Sequence, residues 1–398
     1  MPVRWQILIL LFAVRTVMAF QFQSVAALTP FLRQDFGVDL VAIGSLIGLY
    51  LTPGIILSVP GGAIGNRFRD KTVVIAGLVL MACGSLTMAF SSSWTLQIAG
   101  RLLGGVGGVL LNVLMSKMVT DWFADKEIAT AMGIFVNSWV VGIALALLVL
   151  PPAAITLGLS AAFVLVTIVA IIGLAAFAAY YRSPPKSQPT ASRPDAKPVG
   201  FALLAIILAG LIWGLFNASV GMIFSFGTSM LAERGWSVAG ASSVTSMALW
   251  LTALSVPMGG FLADRTGWQL SVLIGGLLSF AIMLLIAARA ENVILAFIVL
   301  GLVCGLAAGP IMSLPARVLD PATRAIGMGI FFTLFYICVV VGPWIGGYFA
   351  KIAGSARAAF DLGAMMLVAC CGVIFIFQAA SNYEQKRRAG NKPFNLKV

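Results

Sequence analysis

Long apolar runs follow one another along almost the whole chain, broken by short clusters of charged residues, proline and glycine. Bounded at those breaks, they fall near residues 6–30, 41–64, 72–90, 94–118, 129–150, 155–180, 201–226, 240–262, 270–288, 293–315, 326–349 and 359–379. A helix needs about 20 apolar residues to cross the hydrocarbon core of a bilayer. The pattern therefore predicts twelve transmembrane helices. The first run, Ile7 to Leu28, lacks a small-residue cleavage site and leads straight into further spans, so it is expected to be the first helix and not a removed leader.

Composition agrees with a chain dissolved in lipid: 61% of the 398 residues are hydrophobic and 10% are charged, against about 25% charged in a soluble domain. Histidine is absent, which excludes imidazole metal sites, histidine proton relays and Ser-His or Cys-His catalysis. The five cysteines (Cys83, Cys304, Cys338, Cys370, Cys371) all lie inside apolar runs, where a thiol acts as a small hydrophobe. No disulfide framework, metal site, cofactor or enzyme active site is expected.

The net charge of +12 invites a nucleic-acid partner, but its distribution is that of a topology signal. With both termini on one side, eighteen of the lysines and arginines fall in segments on that side, among them Arg4, Lys71, Lys126, Arg182, Arg265 and Lys386. Only Arg33, Arg234, Arg289, Lys351 and Arg357 fall in the opposite loops. By the positive-inside rule both termini are expected in the cytoplasm of a multi-pass cell-membrane protein. Nucleic acid is not an expected partner; the bilayer and a small-molecule substrate are.

Between the sixth and seventh runs lies Arg182 to Val199, with five prolines, four basic residues and no apolar periodicity, which reads as a cytoplasmic linker. It sits at the middle of the chain, and patterns recur across it. Ser58-Val59-Pro60-Gly61-Gly62 returns as Ser255-Val256-Pro257-Met258-Gly259-Gly260, and Met132-Gly133-Ile134-Phe135 returns as Met328-Gly329-Ile330-Phe331. The expected organisation is a six-helix bundle over 1–181, the linker over 182–199, a second six-helix bundle over 200–380 and a cytoplasmic tail over 381–398. In such parallel repeats the substrate site lies at the repeat interface, near the bilayer midplane.

After the eighth run the chain reads Gly260-Phe261-Leu262-Ala263-Asp264-Arg265-Thr266-Gly267, which resembles the G-x-L-A-D-R-x-G signature of the major facilitator superfamily. Its first-half counterpart has Asn66 where the family has aspartate, followed by Arg67, and has Arg69 where the family has glycine. The fourth run holds Arg101-Leu102-Leu103-Gly104-Gly105-Val106-Gly107-Gly108, similar to the family's fourth-helix pattern. In the fifth, Gly133 and Gly142 match the antiporter signature, but Ala146-Leu147 replaces its Gly-Pro. The resemblance implies an all-α membrane protein, twelve transmembrane helices in two pseudo-symmetric six-helix bundles. It also implies a gating role for Asn66, Arg67, Asp264 and Arg265. The eroded antiporter signature counts against proton-driven drug export.

Arg15 lies ten positions beyond Trp5, roughly 15 Å into the bilayer at helical rise. An arginine there costs at least about 2.5–3.5 kcal/mol unless something interacts with it. All thirteen acids, from Asp35 to Glu384, fall in loops or at span ends. Without a carboxylate partner, Arg15 is either an anchor for an anionic substrate or a packing residue bonded to carbonyls and to amides such as Gln21 or Gln23. Arg101 carries the same two readings. Further candidates to bind substrate are Gln21, Gln23, Asn112, Asn137 and Asn217. Asn112 follows Arg101 by eleven residues, close to three helical turns, and so faces the same way. Gln21 and Gln23 differ by about 200° around a helix, so one of them is expected to tie helices together. Trp139, Trp213, Trp250 and Trp344 lie inside runs, as packing residues or ligand contacts.

The function expected is that of a secondary transporter, working as a monomer, that carries a small inorganic or carboxylate anion by rocking two halves about a midplane site. Branches of the family that carry nitrate and cyanate are the nearest analogy. A multidrug or sugar-type facilitator is the alternative, and a membrane sensor or enzyme a more distant one.

Overall fold

A computed structural model describes residues 2–124, 126–184 and 197–390, without the side chains at 40, 41, 66, 67, 238, 239 and 388–390. Most of the expected linker and the end of the tail lie outside the described residues. Twelve helices long and apolar enough to cross a membrane are present among them, as the hydrophobic pattern predicts.

Eight helices build the first bundle: α1 (Val3–Ala27), α2 (Thr29–Phe36), α3 (Leu40–Gly48), α4 (Pro53–Arg67), α5 (Asp70–Ala89), α6 (Trp94–Phe123), α7 (Ile128–Leu157) and α8 (Leu159–Tyr180). Seven build the second: α9 (Phe201–Glu233), α10 (Val238–Thr266), α11 (Gln269–Ala287), α12 (Val293–Cys304), α13 (Ala308–Val318), α14 (Arg324–Ala353) and α15 (Arg357–Gly390). Ends are set by local chemistry. Asp39, Ser93, Ser237 and Asn292 cap α3, α6, α10 and α12 by accepting from backbone amides two or three residues into the helix. Gly267 and Gly354 close α10 and α14 in the left-handed conformation.

Two predicted spans are each broken in mid-membrane. Pro53 has no amide for the Leu49 carbonyl, and the second span divides into α3 and α4. Pro310 likewise frees the Leu306 carbonyl; Gly259 packs against that oxygen, where a Cβ would stand 2.0 Å from it. The fifth span runs seven residues beyond the expected end at 150, because Pro151 and Pro152 stay inside α7. Membrane helices tolerate prolines in their interior, and α7 continues through both to Leu157.

Glycines let backbones touch within the first bundle. On α6, Gly107 meets the Gly77 carbonyl of α5, Gly105 the Tyr50 carbonyl, and Gly104 the Gln21 side chain of α1. The same device joins the two bundles, twice over. Gly62 of α4 lies against the Ala325 carbonyl and Gly329 of α14 against that of Ser58. Gly260 of α10 lies against the Ala129 carbonyl and Gly133 of α7 against that of Val256. These pairs are the residues of the sequence repeat, and all lie in the half of the membrane nearest the termini. The α3 and α12 segments, the far halves of the broken spans, make no comparable contact across the boundary. The bundles are therefore closed together at the termini face and part towards the opposite one.

Candidate functional site

Arg15 is the central residue of α1, with twelve helical residues on either side, and is 6% exposed. Its Nε donates to Asn112 Oδ1 at 3.1 Å. Its Nη1 donates to the Phe135 carbonyl at 3.1 Å, the Val136 carbonyl at 3.0 Å and Ser138 Oγ at 3.3 Å, all on α7. The guanidinium lies over the rings of Phe135 (4.7 Å) and Trp139 (5.8 Å). No acceptor among the described residues takes a bond from Nη2, and no carboxylate among them pairs with Arg15.

Asn112 carries the connection across the boundary between bundles, its Nδ2 donating to the Tyr336 hydroxyl of α14 at 3.1 Å. The Tyr336 ring is fully buried because Gly54, just after the break in the second span, leaves it room; a Cβ there would stand 2.2 Å from the ring. Arg15, Asn112 and Tyr336 thus form one mid-membrane chain linking α1, α7, α6 and α14.

Arg101 lies apart from that chain. Its Nε reaches the Leu46 carbonyl (3.0 Å), Nη1 the Gln21 carbonyl (3.0 Å), and Nη2 the carbonyls of Phe22 (2.8 Å) and Ile47 (3.3 Å). Leu46 and Ile47 lie in the last turn of α3, where the break in the helix turns the Tyr50 amide to the Ile47 carbonyl and leaves that of Leu46 without it. Gln21 ties helices, donating from Nε2 to the Met81 carbonyl at 2.7 Å and accepting from Tyr50 at 3.2 Å. Gln23 is half-buried. Asn137 is half-buried with Oδ1 enclosed and unpartnered, and the Asn217 amide returns to its own helix at the Trp213 carbonyl, 2.8 Å away. Although Arg101 and Asn112 share a stripe of α6, only Asn112 meets Arg15.

Tyr336 and Ser138 escaped the sequence reading. A tyrosine alone in an apolar run was the available signal for the first; the carbonyls of Phe135 and Val136 carry none. Three enclosed polar atoms near the boundary have no partner: Asn137 Oδ1, Trp213 Nε1 and Thr333 Oγ1. Each costs free energy unless something meets it.

At the termini face, Asp264 Oδ2 accepts from the Thr130 amide of α7 at 2.7 Å. Helix α7 needs this, since Glu127 before it is in the left-handed conformation (φ 61°) and supplies no side-chain cap. One bundle caps the other, with the carboxylate at the positive end of the helix dipole. Arg265 is exposed, over the Phe261 ring at 5.6 Å. Asn66 and Arg67, whose side chains lie outside the description, stand at the corresponding place in the other bundle. There the bond across the boundary is ionic: Arg324 of α14 pairs with Asp121 of α6, which with Asp70 flanks Lys117 at 3.5 and 2.5 Å. A cleft of about 580 Å³ near Arg317 and Trp268 is open to the surface at this face and is separate from the mid-membrane chain.

A family model, the Major Facilitator Superfamily, matches residues 11–232 and 202–398. The chain belongs to the Major Facilitator Superfamily. Among its relatives, the hexuronate transporter of Bacillus subtilis (strain 168) is 23% identical over 252 residues, 61% of this chain and 59% of that protein. The 4-hydroxybenzoate transporter PcaK of Pseudomonas aeruginosa is 26% identical over 150 residues, 34% of each chain. The chain thus spans less than two thirds of the length of these relatives. In structure it is similar to the E. coli fucose:proton symporter FucP, with a TM-score of 0.73 at 16% identity over 95% of this chain and 98% of that one. The likeness extends to FucP in an outward conformation (TM-score 0.71). These likenesses establish the fold of a multi-pass membrane protein.

Proposed function

We propose that this facilitator carries a small organic anion across the membrane by alternating access, with Arg15 as the anchor for its charge. The observation that carries the reading is the state of Arg15: a mid-membrane cation with no carboxylate and with Nη2 unspent. Burying a charge without a counter-charge is costly, and a ligand carboxylate on Nη2 offsets that cost. Names of relatives, a hexuronate transporter and a 4-hydroxybenzoate transporter, agree with an acidic substrate. Asn112 positions the guanidinium, and Tyr336 brings the second bundle to it. Arg101 and Gln21 belong to the scaffold in this reading. Asp264, with the Arg324–Asp121 pair, holds the closed face, which the positive-inside rule assigns to the cytoplasm.

The test is equilibrium binding. Lysine keeps the charge but loses the planar fork that grips a carboxylate, so Arg15→Lys should weaken anion binding at least about tenfold, roughly 1.4 kcal/mol, while the protein remains folded. Unchanged affinity would assign Arg15 to packing. Orientation is checked separately: a cysteine at exposed Ser183 should resist an impermeant reagent added outside intact cells.

A further inference from the structure

Aromatic rings flank Arg15 on both sides of the bundle boundary. In the first bundle Trp139 stands beside the guanidinium, with Phe22 4.9 Å from it and Tyr50 5.7 Å beyond. In the second, Phe335 packs 4.9 Å from Tyr336, and Trp213 stacks on Phe335 at 6.0 Å. Phe22, Trp139 and Phe335 are only half-buried, so ring surface is left uncovered beside the free edge of the arginine.

The polar inventory is small by comparison. The Asn217 amide is already bonded to its own helix. Asn137 Oδ1, Trp213 Nε1 and the Thr333 hydroxyl are sealed from solvent and offer nothing to a ligand in this state. A sugar acid would bring several hydroxyls, each needing partners once out of water, whereas the surroundings of Arg15 are built largely of rings. A bare inorganic oxyanion would leave the rings unused, and the nearby second cation, Arg101, has all its nitrogens engaged. A flat ring bearing one carboxylate uses both features, since rings pair edge-to-face or offset and the carboxylate meets the guanidinium.

We infer that the substrate is an aromatic monocarboxylate, its carboxylate on Arg15 Nη2 and its ring between the Phe22–Trp139 wall and the Phe335–Trp213 wall. This rests on the anion reading proposed above.

The test uses the full chain in lipid nanodiscs, with dissociation constants measured for benzoate, cyclohexanecarboxylate, glucuronate, nitrate and uncharged benzamide. Benzoate should bind about tenfold tighter than cyclohexanecarboxylate, which has the same charge without a π face, and tighter than glucuronate or nitrate. Benzamide should not bind. Equal affinity for benzoate and cyclohexanecarboxylate, or a preference for glucuronate or nitrate, overturns the aromatic class while leaving the anion reading intact. Benzamide binding as well as benzoate, or no anion binding at all, overturns both. The Trp139→Leu variant should lose the preference for benzoate over cyclohexanecarboxylate; a retained preference contradicts the role of that wall. If this variant does not fold, the wild-type panel decides alone.

Discussion

Arg15 and Arg101 are both buried in the first bundle, both beside aromatic rings and both without a carboxylate, yet their surroundings differ in one respect. Arg101, 1% exposed, gives every nitrogen to a backbone carbonyl within its own bundle. Arg15 keeps one nitrogen back and reaches, through Asn112, the tyrosine of the opposite bundle. Burial of a cation in a membrane is therefore no mark of a ligand site by itself. In the reading proposed above, what separates brace from binding group is the unspent donor and its place at the boundary between the bundles.

The comparison can be broken most decisively at Arg101. An Arg101→Met change strands the Leu46 carbonyl, leaves that of Ile47 with the Tyr50 amide alone and removes two charge-assisted bonds to α1; an unmet buried acceptor costs about 1–3 kcal/mol. We expect destabilisation of about 3 kcal/mol, read as a sharp fall in Tm or loss of the monodisperse peak in size exclusion. Arg15→Gln should do the reverse: uptake is abolished while Tm holds or rises, because an uncompensated cation has gone. A variant of Arg15 that unfolds but, where folded, still binds substrate at wild-type strength would erase the distinction.

A smaller effect is expected at the closed face. Asp264→Asn removes the charge at the start of α7, worth about 0.3–1 kcal/mol, and should shift the balance of inward and outward states up to about fivefold. Distances between spin labels on the two bundles report this; the affinity for substrate should stay put. Of similar size is Tyr336→Phe, which deletes one hydroxyl bond to Asn112, a loss of about 0.5–1.5 kcal/mol in the stability of this closed state. An effect of that substitution larger than that of Asp264→Asn would make Tyr336 the principal latch.

Much of this was legible in the sequence, for physical reasons. A span must be apolar along its whole length, so twelve runs announced twelve spans; the repeated Ser-Val-Pro and Met-Gly-Ile-Phe segments announced two like halves, while only the structure shows that their glycines are where the bundles touch. Arg15 stood out through the cost of its depth. Its partners did not, since two of them are main-chain carbonyls, and a carbonyl is present at every residue. The different fate of Arg101 was hidden for the same reason: all its partners are main-chain carbonyls, two on α1 and two beside the break in the second span, and the sequence marks the break but not the donor that answers it. The prolines at 151 and 152 misled about the end of α7, since a membrane helix can carry prolines in its interior.

The four glycine-to-carbonyl contacts between the bundles carry a mechanical consequence. Side chains that interlock must climb over one another when two surfaces slide, which makes a rough energy profile with many small barriers. At these four points of α4 against α14 and of α7 against α10 the touching surfaces are bare main chain, so each point behaves as a smooth bearing. In the proposed alternating access they add little friction, and the barrier falls on the directional ties across the boundary seen among the described residues: Asp264 with the Thr130 amide, Arg324 with Asp121, and Asn112 with Tyr336. Adding a methyl group at Gly329 or Gly133 would roughen the bearing, slowing turnover more than it alters which state is favoured.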